Sequence, residues 1–382
     1  MYGATERDVI LNGFPLFHVA GSFVYGLSIL LAGGEVVLPT RLGLRNPALM
    51  ARFGDVVQRH RVTLLATVPT VIAGLLSLPS LQREQLIGVR ALLTGGSPLP
   101  DELAAAFEQR HGIPVRNILG MTECAGVIAI EPLAGPRTPG SCGLALPFTQ
   151  VEAVRADGGA AAPGASGILR VRGPNVGPGY TDAARNPGTF EDGWLISGDI
   201  GHVDAAGRVF VTGRAKDVII RGAHNIDPGM IEGALLHHPA VQMAAAVGEP
   251  DDYAGELPVA YVALKPGARA NADEIALFAA PHIAERPAVP RRVEVIETMP
   301  VTAIGKVYKP ALRVRATQRA LDERLTRAGL AGAVRLQVDD TARGLALHFE
   351  LTDALLGPRV RELMKPFALT YTMSTAQTAA AP

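Results

Sequence analysis

The order of segments predicts an α/β protein: a large layered α/β domain, a β-rich subdomain, a hinge, and a small α+β domain carrying an extra C-terminal appendage. Three observations predict it. Strand, turn and helix alternate up to Pro139. From Gly140 to Gly213 short strands are split by Gly, Pro and Asp turns. Helix and strand alternate again after Lys216. The expected divisions are residues 1–139, 140–213, a hinge at 214–217, 218–312, an appendage at 313–370 and a disordered tail at 371–382.

In order, Val9 to Leu11 is a short apolar run before Asn12–Gly13. Ala20 to Leu31 is apolar nearly all round and reads as a buried helix. Glu35 to Leu38 reads as a strand after the Gly33–Gly34 turn, and Pro47 to His60 as one amphipathic helix. Val62 to Val68 and Val89 to Leu93 read as strands, Val71 to Leu76 and Pro100 to His111 as helices. Short strands follow at Val151 to Val154, Gly167 to Arg172 and Arg208 to Thr212. Beyond Lys216, Pro228 to His237 and Ala272 to Ile283 read as helices, Val241 to Gly248 and Val259 to Lys265 as strands. In the appendage, Ala311 to Ala328 is a charged amphipathic helix, Val334 to Val338 and Leu345 to Leu351 are strands, and Gly357 to Pro366 is helical.

Composition narrows the function. Apolar residues make up 48% of the 382-residue chain and charged ones 19%, which supports a large core and argues against global disorder. Lys plus Arg equals Asp plus Glu at 36 each, so nothing general draws the chain to nucleic acid or an acidic membrane. Cys124 and Cys142 have neither disulfide-framework nor metal-site spacing, and a reducing cytoplasm fits best. No apolar stretch is long enough to span a bilayer, and Met1 to Arg7 carry no signal-peptide pattern.

Five segments carry chemistry. Thr94-Gly-Gly-Ser-Pro98 follows a strand and precedes a helix; its paired glycines let a ring or a phosphate lie against backbone, though an ordinary strand–helix turn would look the same. Leu119-Gly-Met-Thr-Glu123 sets a hydroxyl beside a carboxylate. That pair suits a phosphate bridged by Mg²⁺, and equally a helix N-cap with an acidic first turn. Trp194 to Asp199 ends an apolar run on one carboxylate, able to accept from a ribose diol or to form a hairpin turn. Thr212-Gly-Arg-Ala-Lys-Asp217 offers the donor fork of Arg214 and puts Lys216 at a domain junction, where a solvated loop is the plain alternative. Pro300 to Lys306 ends on Gly305–Lys306, a lysine that can enter a narrow site or simply face solvent.

Order and spacing together resemble the adenylate-forming superfamily, which includes acyl- and aryl-CoA synthetases, adenylation domains and luciferases. The resemblance runs from about Asp8 to Leu312. Pro15-Leu-Phe-His18 is similar to the family's aromatic–His segment beside the acyl pocket. Gly95-Gly-Ser-Pro98 is similar to its adenine loop, and Gly120-Met-Thr-Glu123 to its phosphate and magnesium motif, with Leu119 in place of the usual tyrosine. Trp194 to Asp199 resembles the ribose segment. Gly213 to Asp217, with Gly222-Ala-His-Asn-Ile226 and on to Glu232, resembles the hinge and following loop, and Gly305–Lys306 the catalytic lysine. Ala223 stands where Gly is commoner, in the loop along which coenzyme A would pass.

The resemblance implies an AMP-forming acid–CoA ligase using ATP, Mg²⁺ and coenzyme A on a fatty or aryl carboxylic acid. Lys306, Thr122, Glu123 and His18 would be catalytic, with Glu123 holding the metal. Gly95, Gly96, Ser97, Gly120, Met121, Asp199 and Arg214 would bind nucleotide; Gly222, His224 and Asn225 would serve the thioester step. Residues 218–312 would be a mobile AMP-binding domain turning about Lys216. The family's Ser/Thr/Gly-rich triphosphate loop has no counterpart in Met1 to Arg7, so residues 1–139 are expected to be only part of the large domain. A separate chain could carry the rest, and activity of the chain alone is expected to be impaired. A non-catalytic module binding nucleotide or coenzyme A, and an adenylating enzyme serving a carrier protein, are the competing readings.

Overall fold

The computed structural model describes residues 3–222, 224–341, 344–367 and 369–375. The expectation for Ala223 therefore lies outside the described residues. The chain divides into two compact units: Met1–Lys216 with Val301–Lys306, and Asp217–Pro300 with Val307–Pro382.

The first unit is built on one long mixed sheet. Its parallel part contains β1 (Val9–Asn12), β2 (Glu35–Val37), β3 (Leu64–Thr67), β4 (Ala91–Gly95) and β5 (Val115–Leu119), in the order β2-β1-β3-β4-β5. Strands β3 and β4 are wholly buried, as parallel strands covered on both faces must be. The sheet continues antiparallel through β6 (Ala129–Ile130) and β7 (Ser141–Ala145), then β8 (Gln150–Val154), β9 (Gly167–Arg172), β10 (Phe190–Glu191), β11 (Trp194–Val203) and β12 (Arg208–Arg214). Antiparallel pairing already begins at β6, ahead of the change of sequence character near Pro139, and the hydrogen-bonded sheet runs straight through that change.

Ala20–Leu27 is a wide π-type helix continuing into α1 (Ser28–Leu31). It corrects the expectation of a helix buried all round. Val24, Tyr25 and Ile29 are buried, but Phe23 is 55% and Leu31 79% exposed. Uniform hydropathy along a helix fixes no direction, so it could not show which side the core covers. The single helix expected over 47–60 is two, α2 (Pro47–Ala51) and α3 (Phe53–Arg59), parted at Arg52. The start is well specified: Pro47 stands at the first turn and Asn46 Oδ1 accepts from the Ala48 and Leu49 amides. Two further helices, α4 (Pro69–Leu76) and α5 (Asp101–His111), complete the layer, and Phe53, Ile72, Leu92 and Phe107 share its core.

In the second unit β13 (Ile219–Arg221) and β14 (His224–Ile226) form a hairpin, followed by α6 (Pro228–Leu236). The long hairpin β15 (Val241–Asp251) and β16 (Gly255–Leu264), then α7 (Ala272–Ala279) and β17 (Arg292–Val295), complete a five-stranded sheet. The helix α8 (Lys309–Arg327) serves two cores. Leu312 and Ala316 pack with Tyr261 of β16, while Leu321 and Leu325 pack with a three-stranded sheet. That sheet consists of β18 (Val334–Thr341), β19 (Gly344–Leu351) and β20 (Tyr371–Thr375), with α9 (Gly357–Met364) against it. The tail expected to be disordered over 371–382 is corrected here: Tyr371–Thr375 pair in parallel with Leu347–Leu351, and 376–382 lie outside the described residues.

Candidate functional site

A cleft of about 470 Å³ opens in the first unit. Tyr180, Gly188 and Thr189 wall it together with four further stretches. The first is Phe14, His18, Val19, Ala20, Val24 and Tyr25 from β1's exit and the π-type helix; the second is Gly95–Gly96 with Gly120–Glu123 at the ends of β4 and β5. Ile196–Gly198 and Arg214–Lys216 come from β11 and β12, and Ile304 with Lys306 close the site. Strand order explains the meeting. Neighbouring parallel strands β4 and β5 end at the same sheet edge, where loops converge and ligands bind in open α/β sheets.

Glycines let these loops close in. A β-carbon at Gly120 would stand 1.8 Å from the Gly126 carbonyl oxygen, and one at Gly95 would stand 2.5 Å from that of Ile118. Gly96 takes φ +85°, and a β-carbon there would meet Lys306 Cε at 2.6 Å. After Gly120 the chain makes a tight turn through Thr122–Cys124, closed by the Gly126 amide donating to the Met121 carbonyl at 3.0 Å. The turn leaves Thr122 exposed to the cleft.

Glu123 is held from two sides. Tyr180 Oη donates to its Oε1 at 2.6 Å, and the Gly177 amide donates to its backbone carbonyl at 2.8 Å. The Glu123 bond, then burial, pushes the Tyr180 phenol above its ordinary value. The motif reading missed Tyr180, for it lies 57 residues from Glu123 and a lone Gly–Tyr step in a loop carries no signal.

Asp199 on β11 stands opposite Arg214 on β12, whose Nε donates to Asp199 Oδ1 at 2.8 Å. Burial pushes the Asp199 carboxyl up, while Arg214, Lys306 and Lys216 pull it back. Lys306 feels the converse: burial and Arg214 lower its ammonium below the usual lysine range, and Asp199 partly restores it. His18 is lowered by burial and then by Lys306; its Nδ1 accepts from the Ala20 amide at 3.1 Å, which leaves the proton of the neutral ring on Nε2.

The cleft therefore gathers His18, Gly95, Gly96, Gly120, Met121, Thr122, Glu123, Arg214, Lys216 and Lys306. Five expected residues do not line it, two of them in this unit: Ser97 lies beyond its wall, and Asp199 sits behind Arg214, 5% exposed. Gly222, His224 and Asn225 belong to the second unit, where Gly222 turns β13 into β14 at φ +59° and the other two are exposed. Among the described residues no group of three or more His, Cys, Asp or Glu could hold a metal ion alone.

One sheet-edge cleft thus unites a Gly–Met–Thr–Glu turn, an arginine braced from behind by Asp199 and a half-buried lysine. The "AMP-binding enzyme" family model matches residues 1–181, and the "AMP-binding enzyme C-terminal domain" model matches 230–306. The chain belongs to the AMP-binding enzyme family.

Among its relatives, the marinolic acid–CoA ligase of Pseudoalteromonas sp. (strain SANK 73390) is 41% identical over 334 residues, covering 84% of this chain and 51% of the relative. The long-chain-fatty-acid–CoA ligase of Bacillus subtilis (strain 168) is 34% identical over 322 residues, covering 83% and 56%. This AMP-binding chain thus spans only about half the length of those curated relatives. ATP-bound MatB from Rhodopseudomonas palustris superposes with a TM-score of 0.73 at 30% identity, covering 82% of this chain and 61% of MatB. The anthranilate–CoA ligase AuaEII, in complex with anthranoyl-AMP, gives 0.77 at 25% identity, covering 84% and 61%. The mixed α/β fold of this family member is the one the sequence predicts. No helix among the described residues is long and apolar enough to cross a membrane.

Proposed function

We propose that this chain activates a carboxylic acid with ATP, forming an acyl-adenylate and pyrophosphate, and then passes the acyl group to coenzyme A. The observation that carries the reading is the convergence of Lys306, Arg214 and the Thr122–Glu123 turn on one cleft. The acid's carboxylate attacks the α-phosphorus of ATP. Lys306 neutralises charge on the attacking oxygen and on the phosphorus as it becomes five-coordinate, in a half-buried cleft where such a contact is worth more than in open water. Thr122 donates its hydroxyl to phosphate. Asp199 and Arg214 hold the ribose, Arg214 facing the cleft and Asp199 fixing its direction. Gly95 and Gly96 leave a flat backbone surface for adenine.

Mg²⁺ takes most of its ligands from phosphate and water and needs only one or two protein carboxylates. Glu123 fits that need: one oxygen takes the Tyr180 hydroxyl, and the side chain faces the cleft. Bound there, the ion would offset phosphate charge.

The acid's body rests on the apolar wall of Phe14, Val19, Val24 and Tyr25, which suits a fatty chain or an aryl ring. Curated relatives acting on both kinds of acid, a long-chain fatty acid and indoleacetate, support that range. In the thioester step the thiol of coenzyme A attacks the acyl carbon and AMP leaves. His224 and Asn225, exposed on β14, are the residues assigned to coenzyme A. The test is calorimetric binding of stable acyl-adenylate analogues with fatty and aryl acyl groups to the purified chain, a readout that the impaired activity expected of the chain alone does not confound. Binding of one class, lost in Arg214→Ala, supports the reading; no binding of either overturns it.

A further inference from the structure

The turn that carries Lys306 is tied down by a residue outside the five motif segments. Within the turn, the Thr302 amide donates to the Lys306 carbonyl at 2.7 Å, and the Gly305 amide donates to the Thr302 carbonyl at 2.9 Å. The Lys306 amide donates to Thr302 Oγ1 at 3.2 Å. These bonds shape the turn but anchor it to nothing else. The anchor comes from Thr70, in the first turn of α4, whose hydroxyl donates to the Gly305 carbonyl at 2.8 Å across 235 residues of sequence.

The contact is built in. Gly305 holds φ +83°, and a β-carbon there would stand 3.4 Å from Val68 Cγ2 and 3.5 Å from Thr70 Oγ1. On the other flank Gly96 leaves room for the lysine stem. Asp199 favours the ammonium, while burial and Arg214 oppose it.

We propose that Thr70 is a positioning residue that fastens the Gly305 carbonyl and so keeps Lys306 in the cleft. It rests on the adenylation reading for its purpose, not for its test. Removing the hydroxyl leaves the shape and raises the fraction of time the turn is released. One hydrogen bond of ordinary strength corresponds to about a two- to tenfold rise.

The experiment is trace acetylation of the purified chain with acetic anhydride, read by mass spectrometry at Lys306 and at the exposed Lys365. Thr70→Val should raise labelling of Lys306 about two- to tenfold, leave Lys365 unchanged, and be reversed by Thr70→Ser. An unchanged Lys306 rate overturns the proposal. So does an equal rise at both lysines, which would report general loosening. No substrate is involved, so this result and the adenylation reading fail separately. In an active protein, Thr70→Val should slow adenylate formation and spare thioester formation from supplied acyl-adenylate; equal slowing of both steps would contradict the assigned role.

Discussion

Two carboxylate–cation pairs, one in each unit, differ in a way that separates a site from a strut. In the first unit Asp199 binds Arg214 at 2.8 Å, with Asp199 buried and Arg214 half-exposed on the cleft wall. In the second, Glu232 of α6 binds Lys309 at the start of α8 at 2.7 Å, and the same carboxylate takes the Ala246 amide at 2.9 Å. Burial pushes both carboxyls up and the cation pulls each back. Glu232 and Lys309 both lie largely within the fold, joining α6, α8 and β15. Arg214 keeps donors facing a cavity. The chemistry is the same; what differs is the number of polar atoms left for an incoming group.

Substitutions can break that contrast. The largest expected effect is on catalysis: Lys306→Ala should lower adenylate formation by about 10²–10³-fold, as loss of a transition-state donor does, in pyrophosphate exchange. Thioester formation from supplied acyl-adenylate should survive. Next is stability. Lys309→Met leaves the Glu232 carboxylate unpaired and should cost about 3 kcal/mol in urea unfolding, with nucleotide affinity per folded molecule unchanged. Asp199→Asn should do the reverse, weakening nucleotide binding about ten- to a hundredfold by calorimetry with a much smaller stability change. If the two substitutions gave the same profile, the distinction between site and strut would fail. The smallest effect is a pH limb. Because Lys306 is lowered, the ammonium is lost as pH rises through a value below that of free lysine. Adenylate formation should therefore fall at moderately alkaline pH, and Lys306→Arg should lack that limb.

Much of this was legible in the sequence because chemistry sits in short contiguous runs. Gly120–Glu123, Gly213–Asp217 and Gly305–Lys306 could be read without coordinates, and the strands feeding them follow from apolar runs between glycine turns. The rest depended on contacts between distant segments. Tyr180 reaches Glu123 and Thr70 reaches Gly305 across gaps that no local pattern spans. The exposure of Phe23, Leu30 and Leu31 was hidden because an apolar helix gives no sign of which neighbours cover it. Tyr371–Thr375 looked like a tail because Thr and Ser are poor core formers; the strand exists through parallel pairing with β19 across α9.

The central claim is that the cleft joins a carboxylate to the α-phosphorus of ATP. Isotope transfer tests it most directly. With an acid labelled with ¹⁸O in its carboxylate, turnover with coenzyme A should deliver one labelled oxygen to AMP, because the acyl–oxygen bond breaks when the thiol attacks. Acyl-CoA accompanied by unlabelled AMP would contradict the account.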